Sequence, residues 1–259
     1  MKKNNEKIFI FNEKGEKERV LFFHGFNSSH KFILPILKKT RNFCISSFDF
    51  PGNGYSPISE KASIQKYSEV ANKILDSYKE PVTVVAHSLG GAIINFISKH
   101  KNIKKIILIS PVNPYMSETV IQNKDSKKKA INLTWEKTKS LWNNDEKSTY
   151  IKYVASSAIS YISGSKIRYK YMKHLIYNEM LNPFYLKTIL YEAYKNNKKP
   201  TYIMQGANDP FVPTQTSKAT SIEFGWQFYS LPLTGHSPLV ERPKYCLEII
   251  EDILKKDDL

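Results

Sequence analysis

The stretch Thr83–Ile94 constrains the fold of this chain more than any other part of the sequence. A largely apolar strand runs into a tight turn, and a helical pattern reaching about His100 follows directly. In the turn, Ser88 is flanked two residues away by the small residues Ala86 and Gly90. A serine between small residues, with a strand before it and a helix after it, is typical of a sharp turn that exposes the hydroxyl group. Ser88 is therefore the candidate nucleophile, at a helix N-terminus that favours developing negative charge.

Short apolar runs alternate with helical patterns over much of the chain. Val20–Phe23 and Ile106–Ile109 are continuous apolar runs, as expected for strands buried on both faces of a mainly parallel sheet. Residues 63–79 carry one apolar stripe at helical spacing, and a second such helix is predicted over 243–256. The predicted fold class is α/β, with helices on both faces of the sheet. The predicted strands are Lys7–Asn12, Arg19–Phe23, Phe43–Phe48, Val82–Ala86, Lys104–Ser110, Pro200–Gln205 and Trp226–Leu231.

Residues 113–199 differ from the rest of the chain. Only one of the ten glycines, Gly164, lies there, whereas the segment is rich in tyrosine and contains Trp135 and Trp142. Apolar residues recur at helical spacings, as in Tyr150, Val154, Ala158 and Tyr161. We therefore predict a helical cap at 113–199, inserted into a core formed by 1–112 and 200–259. Its aromatic residues either pack the cap onto the core or line an apolar pocket over the site.

A serine nucleophile needs a histidine base, which in turn needs an orienting carboxylate. On this type of sheet the chain order is serine, acid, histidine. Asp209 follows a predicted strand and a glycine turn, and His236 lies in the loop after the next strand, so both are expected at strand carboxyl ends. Asp49 precedes the serine and Glu241 follows His236 closely, so neither is the preferred acid. The other histidines are not preferred as the base: His87 is expected to point elsewhere, and surface positions are predicted for His30, His100 and His174.

Two backbone N–H groups are expected to form an oxyanion hole. One is that of Leu89, the residue after the nucleophile. The other is that of Phe26, in the loop after Arg19–Phe23, where Gly25 permits an unusual turn. His24 is predicted to hold this loop by hydrogen bonds.

The formal net charge of +15 raises the question of nucleic-acid binding. Only four of the 39 basic residues are arginines, the residues that grip phosphates and bases bidentately. We therefore expect no nucleic-acid partner. The lysine excess, together with many Asn and Ile residues, is most simply explained by a coding bias towards AT-rich codons, and weak attraction to acidic surfaces or anionic substrates is the alternative. The expected partner is a small-molecule or lipid ester substrate; weak contact with anionic membrane surfaces and the oligomeric state are left open.

Several segments bear on cofactors and location. The apolar run Ile8–Phe11 is too short for a signal peptide, so a cytoplasmic location is predicted. Cys44 and Cys246 lie far apart in sequence and do not suggest a disulfide framework. No metal-ligand spacing and no phosphate-binding loop is present, so neither a metal nor another cofactor is expected.

Five motifs together resemble those of the α/β-hydrolase fold family, in its order and at plausible spacing. They are His24-Gly25-Phe26, Asp49-Phe50-Pro51-Gly52-Asn53-Gly54-Tyr55-Ser56, Ala86-His87-Ser88-Leu89-Gly90-Gly91, Gly206-Ala207-Asn208-Asp209 and Gly235-His236-Ser237-Pro238. The likeness covers most of the chain outside the cap. It implies that Asp49–Ser56 is a structural loop after a strand.

The resemblance also argues against some of the reactions that members of the family catalyse. Haloalkane dehalogenases and epoxide hydrolases of that family carry an aspartate where this chain has Ser88. Proline iminopeptidases carry a His-Gly-Gly-Pro-Gly loop, which differs from the residues at 24–28 here. The chain is most similar to the esterases, lipases and lysophospholipases with a helical cap, which implies hydrolysis of carboxylic esters. Thioester or peptide-type amide hydrolysis on the same residues, and a catalytically silent fold that binds a small molecule, are the alternatives.

Overall fold

A computed structural model describes residues 7–58, 61–117 and 165–256. Within these ranges seven strands form one sheet, in the order β1-β3-β2-β4-β5-β6-β7. The first strand runs antiparallel to its neighbour, and all the other pairs are parallel. The α/β class and the mainly parallel sheet are therefore confirmed. The strands are β1 (Ile10–Asn12), β2 (Arg19–Phe23), β3 (Cys44–Phe48), β4 (Val82–His87), β5 (Ile103–Ile109), β6 (Thr201–Gly206) and β7 (Gln227–Leu231).

The predicted strand boundaries agree within one residue except at β1. This strand was predicted to start at Lys7 but starts at Ile10. It lies at the edge of the sheet and pairs with β3 alone, and two of its three residues are exposed. A strand that is hydrogen-bonded on one side only, and little buried, has fewer contacts to extend its regular pairing.

The helices of the described residues follow the sequence signals where an apolar stripe is present. Ser63 accepts a hydrogen bond from the Lys66 N–H and so caps the second helix, which covers most of the predicted 63–79 helix. The α-helices are α1 (Leu34–Leu37), α2 (Ile64–Asp76), α3 (Leu89–Phe96), α4 (Ser165–His174), α5 (Pro183–Tyr185), α6 (Tyr191–Lys195), α7 (Thr214–Phe224), α8 (Pro238–Glu241) and α9 (Pro243–Lys255). A 3₁₀-helix covers His30–Ile33, and π-helical turns cover Leu175–Met180 and Leu186–Leu190.

The core has one apolar layer on each face of the sheet. Because side chains alternate along a strand, neighbouring residues of β2 enter different layers: Leu21 joins the layer with α2 and α3, and Phe22 joins the layer with α9. In α2 the buried Ile74 contributes to the first layer, and in α9 the buried Ile250 contributes to the second. The two layers hold the sheet rigid, so that its carboxyl edge can position the loops of the site.

Part of the predicted cap lies within the described residues. Between 165 and 199 the chain is largely helical, and Leu175 and Leu186 join the apolar layer of α2 and α3. The Tyr171 hydroxyl donates to the Pro51 carbonyl over 2.8 Å, and the Tyr194 hydroxyl donates to the Val112 carbonyl over 2.6 Å. Trp135, Trp142 and the apolar positions of 150–161 lie outside the described residues. No helix in the described part of the chain is long and apolar enough to cross a membrane.

Candidate active site

Ser88 lies at the junction between β4 and α3. The strand ends at His87, the helix begins at Leu89, and Ser88 itself has a φ of +50°. A positive φ in a residue other than glycine costs on the order of 1–3 kcal/mol and needs support from its surroundings. The Ser88 N–H donates to Ile109 and its carbonyl accepts from Val112, over 2.9 and 3.0 Å. These bonds to the end of β5 hold the strained turn in place.

Two glycines allow other segments to approach this turn closely. A Cβ atom on Gly90 would lie 2.9 Å from the carbonyl oxygens of Phe23 and His24. A Cβ atom on Gly25 would lie 3.0 Å from the Ser88 Cβ. A side chain at either glycine would therefore push the loop after β2 away from the serine. This close approach is the physical reason for the glycine two residues after Ser88.

The structure brings the three predicted residues, Ser88, His236 and Asp209, together. The Ser88 Oγ lies 3.0 Å from the His236 Nε2, and the His236 Nδ1 lies 2.8 Å from the Asp209 Oδ2. Their segments follow β4, β7 and β6, so three loops at the carboxyl edge of one parallel sheet supply the side chains. The Asp209 carboxylate is fully buried, and the His236 side chain is 17% exposed.

Hydrogen bonds satisfy both oxygens of Asp209. Oδ1 accepts from the N–H groups of Phe211 and Val212, and Oδ2 also accepts from the Gln205 side chain. Burial alone would raise the pKa of this carboxyl group, but His236 and the two backbone N–H groups outweigh burial and lower the pKa. Asp209 is therefore ionised at neutral pH. The contribution of Gln205 was not predicted from the sequence.

The charge on Asp209 determines the tautomer of His236. An ionised carboxylate only accepts, so the His236 Nδ1 carries the proton that is donated to Asp209. In the neutral imidazole the Nε2 is then an acceptor, directed at the Ser88 hydroxyl. This arrangement can take a proton from the hydroxyl and stabilise the imidazolium that forms.

The two predicted oxyanion donors lie beside Ser88 in sequence or in space. Leu89 is the first residue of α3, so its N–H has no carbonyl partner within the helix. Phe26 follows Gly25, the glycine that packs against Ser88. The positive φ in this loop, +50°, is at Asn27 and not at Gly25. Gly25 leaves room for its neighbours, because a Cβ atom there would lie 2.8 Å from the His87 Nδ1 and 3.0 Å from the Ser88 Cβ.

His24 holds the Phe26 loop, as predicted. Its Nδ1 donates to the Gly25 carbonyl over 2.8 Å, and its Nε2 accepts from the Phe50 N–H over 2.9 Å. Since a carbonyl only accepts and an N–H only donates, these two contacts define the neutral ring with the proton on Nδ1. The His24 side chain is buried and joins the loops after β2 and β3.

The surface position predicted for His30 is wrong. His30 is buried, and the Asp49 Oδ1 accepts hydrogen bonds from its N–H over 2.6 Å and from its Nδ1 over 3.0 Å. The Tyr55 N–H donates to the other oxygen of the same carboxylate. Asp49 thus organises the loop of Asp49–Ser56 and lies outside the Ser88–His236–Asp209 arrangement. The sequence pattern did not indicate a buried acid at 49 as the partner of His30.

Two further residues contact the backbone around His236. The His87 Nε2 donates to the His236 carbonyl over 2.7 Å. The Glu241 carboxylate accepts from the Gly235 N–H over 2.6 Å and from the Ser237 N–H over 2.9 Å. Sequence reasoning considered His87 and Glu241 only as rival members of the catalytic group. The signal in the sequence was their proximity to the candidate residues: His87 directly precedes Ser88, and Glu241 follows His236 by five residues.

Within 7–58, 61–117 and 165–256, no group of three or more His, Cys, Asp or Glu side chains is arranged to hold a metal ion. The polar groups at the carboxyl edge of the sheet instead bond to one another, as the contacts of His236 and Asp209 show. The Ser88 hydroxyl, the His236 imidazole and the Asp209 carboxylate form one continuous hydrogen-bonded series.

Comparison with known proteins agrees with this architecture. A protein called "Putative esterase/lipase 2" from Mycoplasma pneumoniae is 26% identical over 262 residues, which covers 96% of this chain and 93% of the relative. The structure titled "Est816 as an N-Acyl homoserine lactone degrading enzyme" superposes with a TM-score of 0.69 at 16% identity, covering 96% of this chain and 98% of the other. The "Structure of a thermophilic esterase" superposes with a TM-score of 0.66 at 19% identity, covering 95% and 92%. The sequence profile of the alpha/beta hydrolase family matches residues 20–249, and the chain belongs to that family.

Proposed function

We propose that this protein is a serine hydrolase that cleaves carboxylic esters through an acyl-enzyme. The observation that carries the proposal is the continuous hydrogen-bonded arrangement from the Ser88 hydroxyl through His236 to the buried Asp209. It lies at a strained strand-to-helix turn, which leaves the serine hydroxyl at the carboxyl edge of the sheet. No other combination of the predicted residues has this connectivity among the described contacts.

In the first half-reaction the Ser88 Oγ attacks the ester carbonyl carbon while its proton moves to the His236 Nε2. Asp209 stays ionised and stabilises the imidazolium. The carbonyl oxygen becomes an oxyanion, to which the N–H groups of Phe26 and Leu89 donate. When the C–O bond to the leaving group breaks, His236 returns the proton to the departing alcohol.

In the second half-reaction water hydrolyses the acyl-enzyme. The His236 Nε2 removes a proton from the water, whose oxygen attacks the acyl carbon. The tetrahedral intermediate collapses with cleavage of the bond to the Ser88 Oγ, which takes back the proton from His236. The products are a carboxylic acid and the free enzyme, and no cofactor takes part in any step.

The names of the relatives support an ester substrate, and the surroundings of His236 support an apolar acyl group on it. The relative from Mycoplasma pneumoniae is named for esterase or lipase activity, and one similar structure is titled as an esterase. The Phe211 ring lies edge-on to His236, 5.1 Å between centroids, and is 56% exposed. An exposed aromatic ring beside the relay offers apolar contact to a bound acyl group.

A fluorophosphonate probe tests the nucleophile directly. We expect covalent modification of Ser88, identified by mass spectrometry of the labelled peptide, and no labelling of Ser88→Ala. Ser230→Ala, which removes an exposed serine on β7, serves as the matched control and should label like the wild type. An unmodified Ser88 peptide under conditions that label a known serine esterase would refute the proposal.

A substrate panel then tests the reaction class. It contains p-nitrophenyl esters, lysophospholipids, acyl-CoA thioesters and aminoacyl-naphthylamides. Fastest turnover of the oxygen esters is the expected result. Preference for a thioester or an amide would replace the substrate class while keeping Ser88 as nucleophile. Binding without hydrolysis across the whole panel would indicate a silent binding fold and overturn the enzymatic proposal.

A further inference from the structure

The segment that carries His236 is a loop between β7 and α8, and a side chain of α8 forms hydrogen bonds with the backbone of this loop. The N–H groups on both sides of the histidine donate to one carboxylate: Gly235 to the Glu241 Oε2 and Ser237 to the Glu241 Oε1, over 2.6 and 2.9 Å. Each oxygen thus takes one of the two flanking donors. No basic side chain among the described residues forms a salt bridge with Glu241.

The glycine at 235 fits this contact. A Cβ atom there would lie 3.2 Å from Oε1 and 3.3 Å from Oε2 of Glu241, which is closer than ordinary packing allows. Glu241 is the last residue of the short helix α8, whose start follows Ser237 directly. The carboxylate therefore folds back onto the loop that precedes its own helix.

The position of the loop decides whether His236 can reach both of its partners. The imidazole must keep its Nε2 at 3.0 Å from the Ser88 Oγ and its Nδ1 at 2.8 Å from the Asp209 Oδ2 at the same time. A ring that bonds at both ends has little freedom, so a displacement of its Cα is not corrected by side-chain rotation. Misplacement of a catalytic group by about 1 Å can lower a rate by about 100-fold.

We propose that Glu241 is a positioning residue, whose carboxylate grips the N–H groups on both sides of His236 and so sets the reach of the imidazole to Ser88. The inference rests on the proposed function, because it assigns Glu241 a role in presenting the base of that reaction. A carboxylate suits the role because it has two acceptor oxygens. A glutamine at the same place has one acceptor, and its NH₂ group would face a second donor.

The test compares Glu241→Gln with the wild type in steady-state ester hydrolysis. The concentration of active enzyme is determined by fluorophosphonate titration of Ser88, so that kcat refers to competent molecules only. We expect kcat to fall by about 10- to 100-fold while KM changes by less than about twofold, since the base moves but the substrate pocket does not. Glu241→Asp, which keeps the charge but shortens the side chain, should give an intermediate loss.

Glu248→Gln is the matched control, because it removes the same charge from an exposed position on α9. It should keep the wild-type kcat and KM. A thermal melt of each variant separates loss of folding from loss of rate. A purely structural role would lower the melting temperature or the number of active sites but leave kcat per active site within about threefold, and that result would overturn the inference. If the wild type itself neither labels nor hydrolyses esters, the proposed function fails instead.

Discussion

The His87 imidazole Nε2 lies 2.7 Å from the backbone carbonyl oxygen of His236 and donates a hydrogen bond to it. This hydrogen bond connects His87, which directly precedes Ser88, to the loop that carries His236. The Phe32 ring stacks on the His87 ring, 4.3 Å between centroids. Burial, with a smaller contribution from the nearby His236, lowers the pKa of His87 to about 3. His87 therefore stays neutral and supports the loop without changing charge around neutral pH.

The low pKa of His87 predicts an acid-dependent loss of stability. In the unfolded chain a histidine takes up a proton below about pH 6.5, whereas in the folded protein His87 does so only near pH 3. The stabilisation is therefore present above pH 6.5 and is lost as the pH falls towards 3. His87→Gln keeps an N–H donor but does not titrate. Between pH 7 and pH 5 its free energy of unfolding should therefore fall by about 2 kcal/mol less than that of the wild type. Urea unfolding at both pH values measures this difference, and equal losses in the two proteins would contradict it.

The positive φ of Ser88 predicts that the residue at this position affects the stability of the protein. With φ at +50°, this position disfavours every residue except glycine. Ser88→Gly should therefore be more stable than Ser88→Ala by about 1 kcal/mol, although both lack the hydroxyl. Chemical denaturation of the two variants checks the prediction. Equal midpoints would mean that the turn carries no strain.

The role proposed for Ser88 predicts a large loss of rate in the same variants. Removal of a triad serine has cost about 10⁶-fold in kcat in a well-studied protease. We expect Ser88→Ala to lose a similar factor in ester hydrolysis, measured with p-nitrophenyl esters. Turnover close to that of the wild type would exclude Ser88 as the nucleophile.

The hydrogen bond between His236 and Asp209 predicts the effect of replacing the acid by its amide. Asp209→Asn keeps the shape but offers an NH₂ group where the carboxylate accepted, which favours the wrong tautomer of His236. A loss of about 10⁴-fold in kcat is expected, with little change in KM. Gln205→Met tests the supporting amide in the same assay and should lose far less. A small effect at Asp209 would indicate that another acid orients the histidine.

Glu179, which contacts the first residue of α2, predicts a dependence of stability on pH that is opposite in sign to that of His87. Its carboxylate accepts from the Ile64 N–H over 2.7 Å, and burial raises the pKa to about 7, against smaller lowering by that N–H and Lys61. A raised pKa means that the stability contribution is present below about pH 4.5 and is lost as the pH rises through about 7. Glu179→Gln should therefore lose less stability than the wild type between pH 5 and pH 8, by about 1–3 kcal/mol.

Glu192→Gln is the control for this prediction, because Glu192 is an exposed residue of α6. Its unfolding free energy should follow that of the wild type over the same pH range. If the unfolding free energy of Glu179→Gln also follows that of the wild type, the Glu179 carboxylate does not cause the loss of stability at high pH.

The sequence alone was enough to predict the sheet, the turn and the meeting of Ser88, Asp209 and His236. Continuous apolar runs such as Val20–Phe23 require burial on both faces, and the small residues around Ser88 require a tight strand-to-helix turn. The carboxyl ends of parallel strands lie at one edge of the sheet. Asp209 and His236 could therefore be placed near Ser88 from their positions after predicted strands.

Only the tertiary structure decided which polar groups support that arrangement. His87 and His236 are 149 residues apart, and neither periodicity nor spacing encodes a hydrogen bond from one side chain to the backbone of the other. The same holds for the burial of His30 against Asp49 and for the two amides that Glu241 accepts from. Local sequence determines where strands and turns form because backbone geometry and apolar burial are local or periodic. The partner of a buried polar atom depends instead on which loops meet once the sheet has formed.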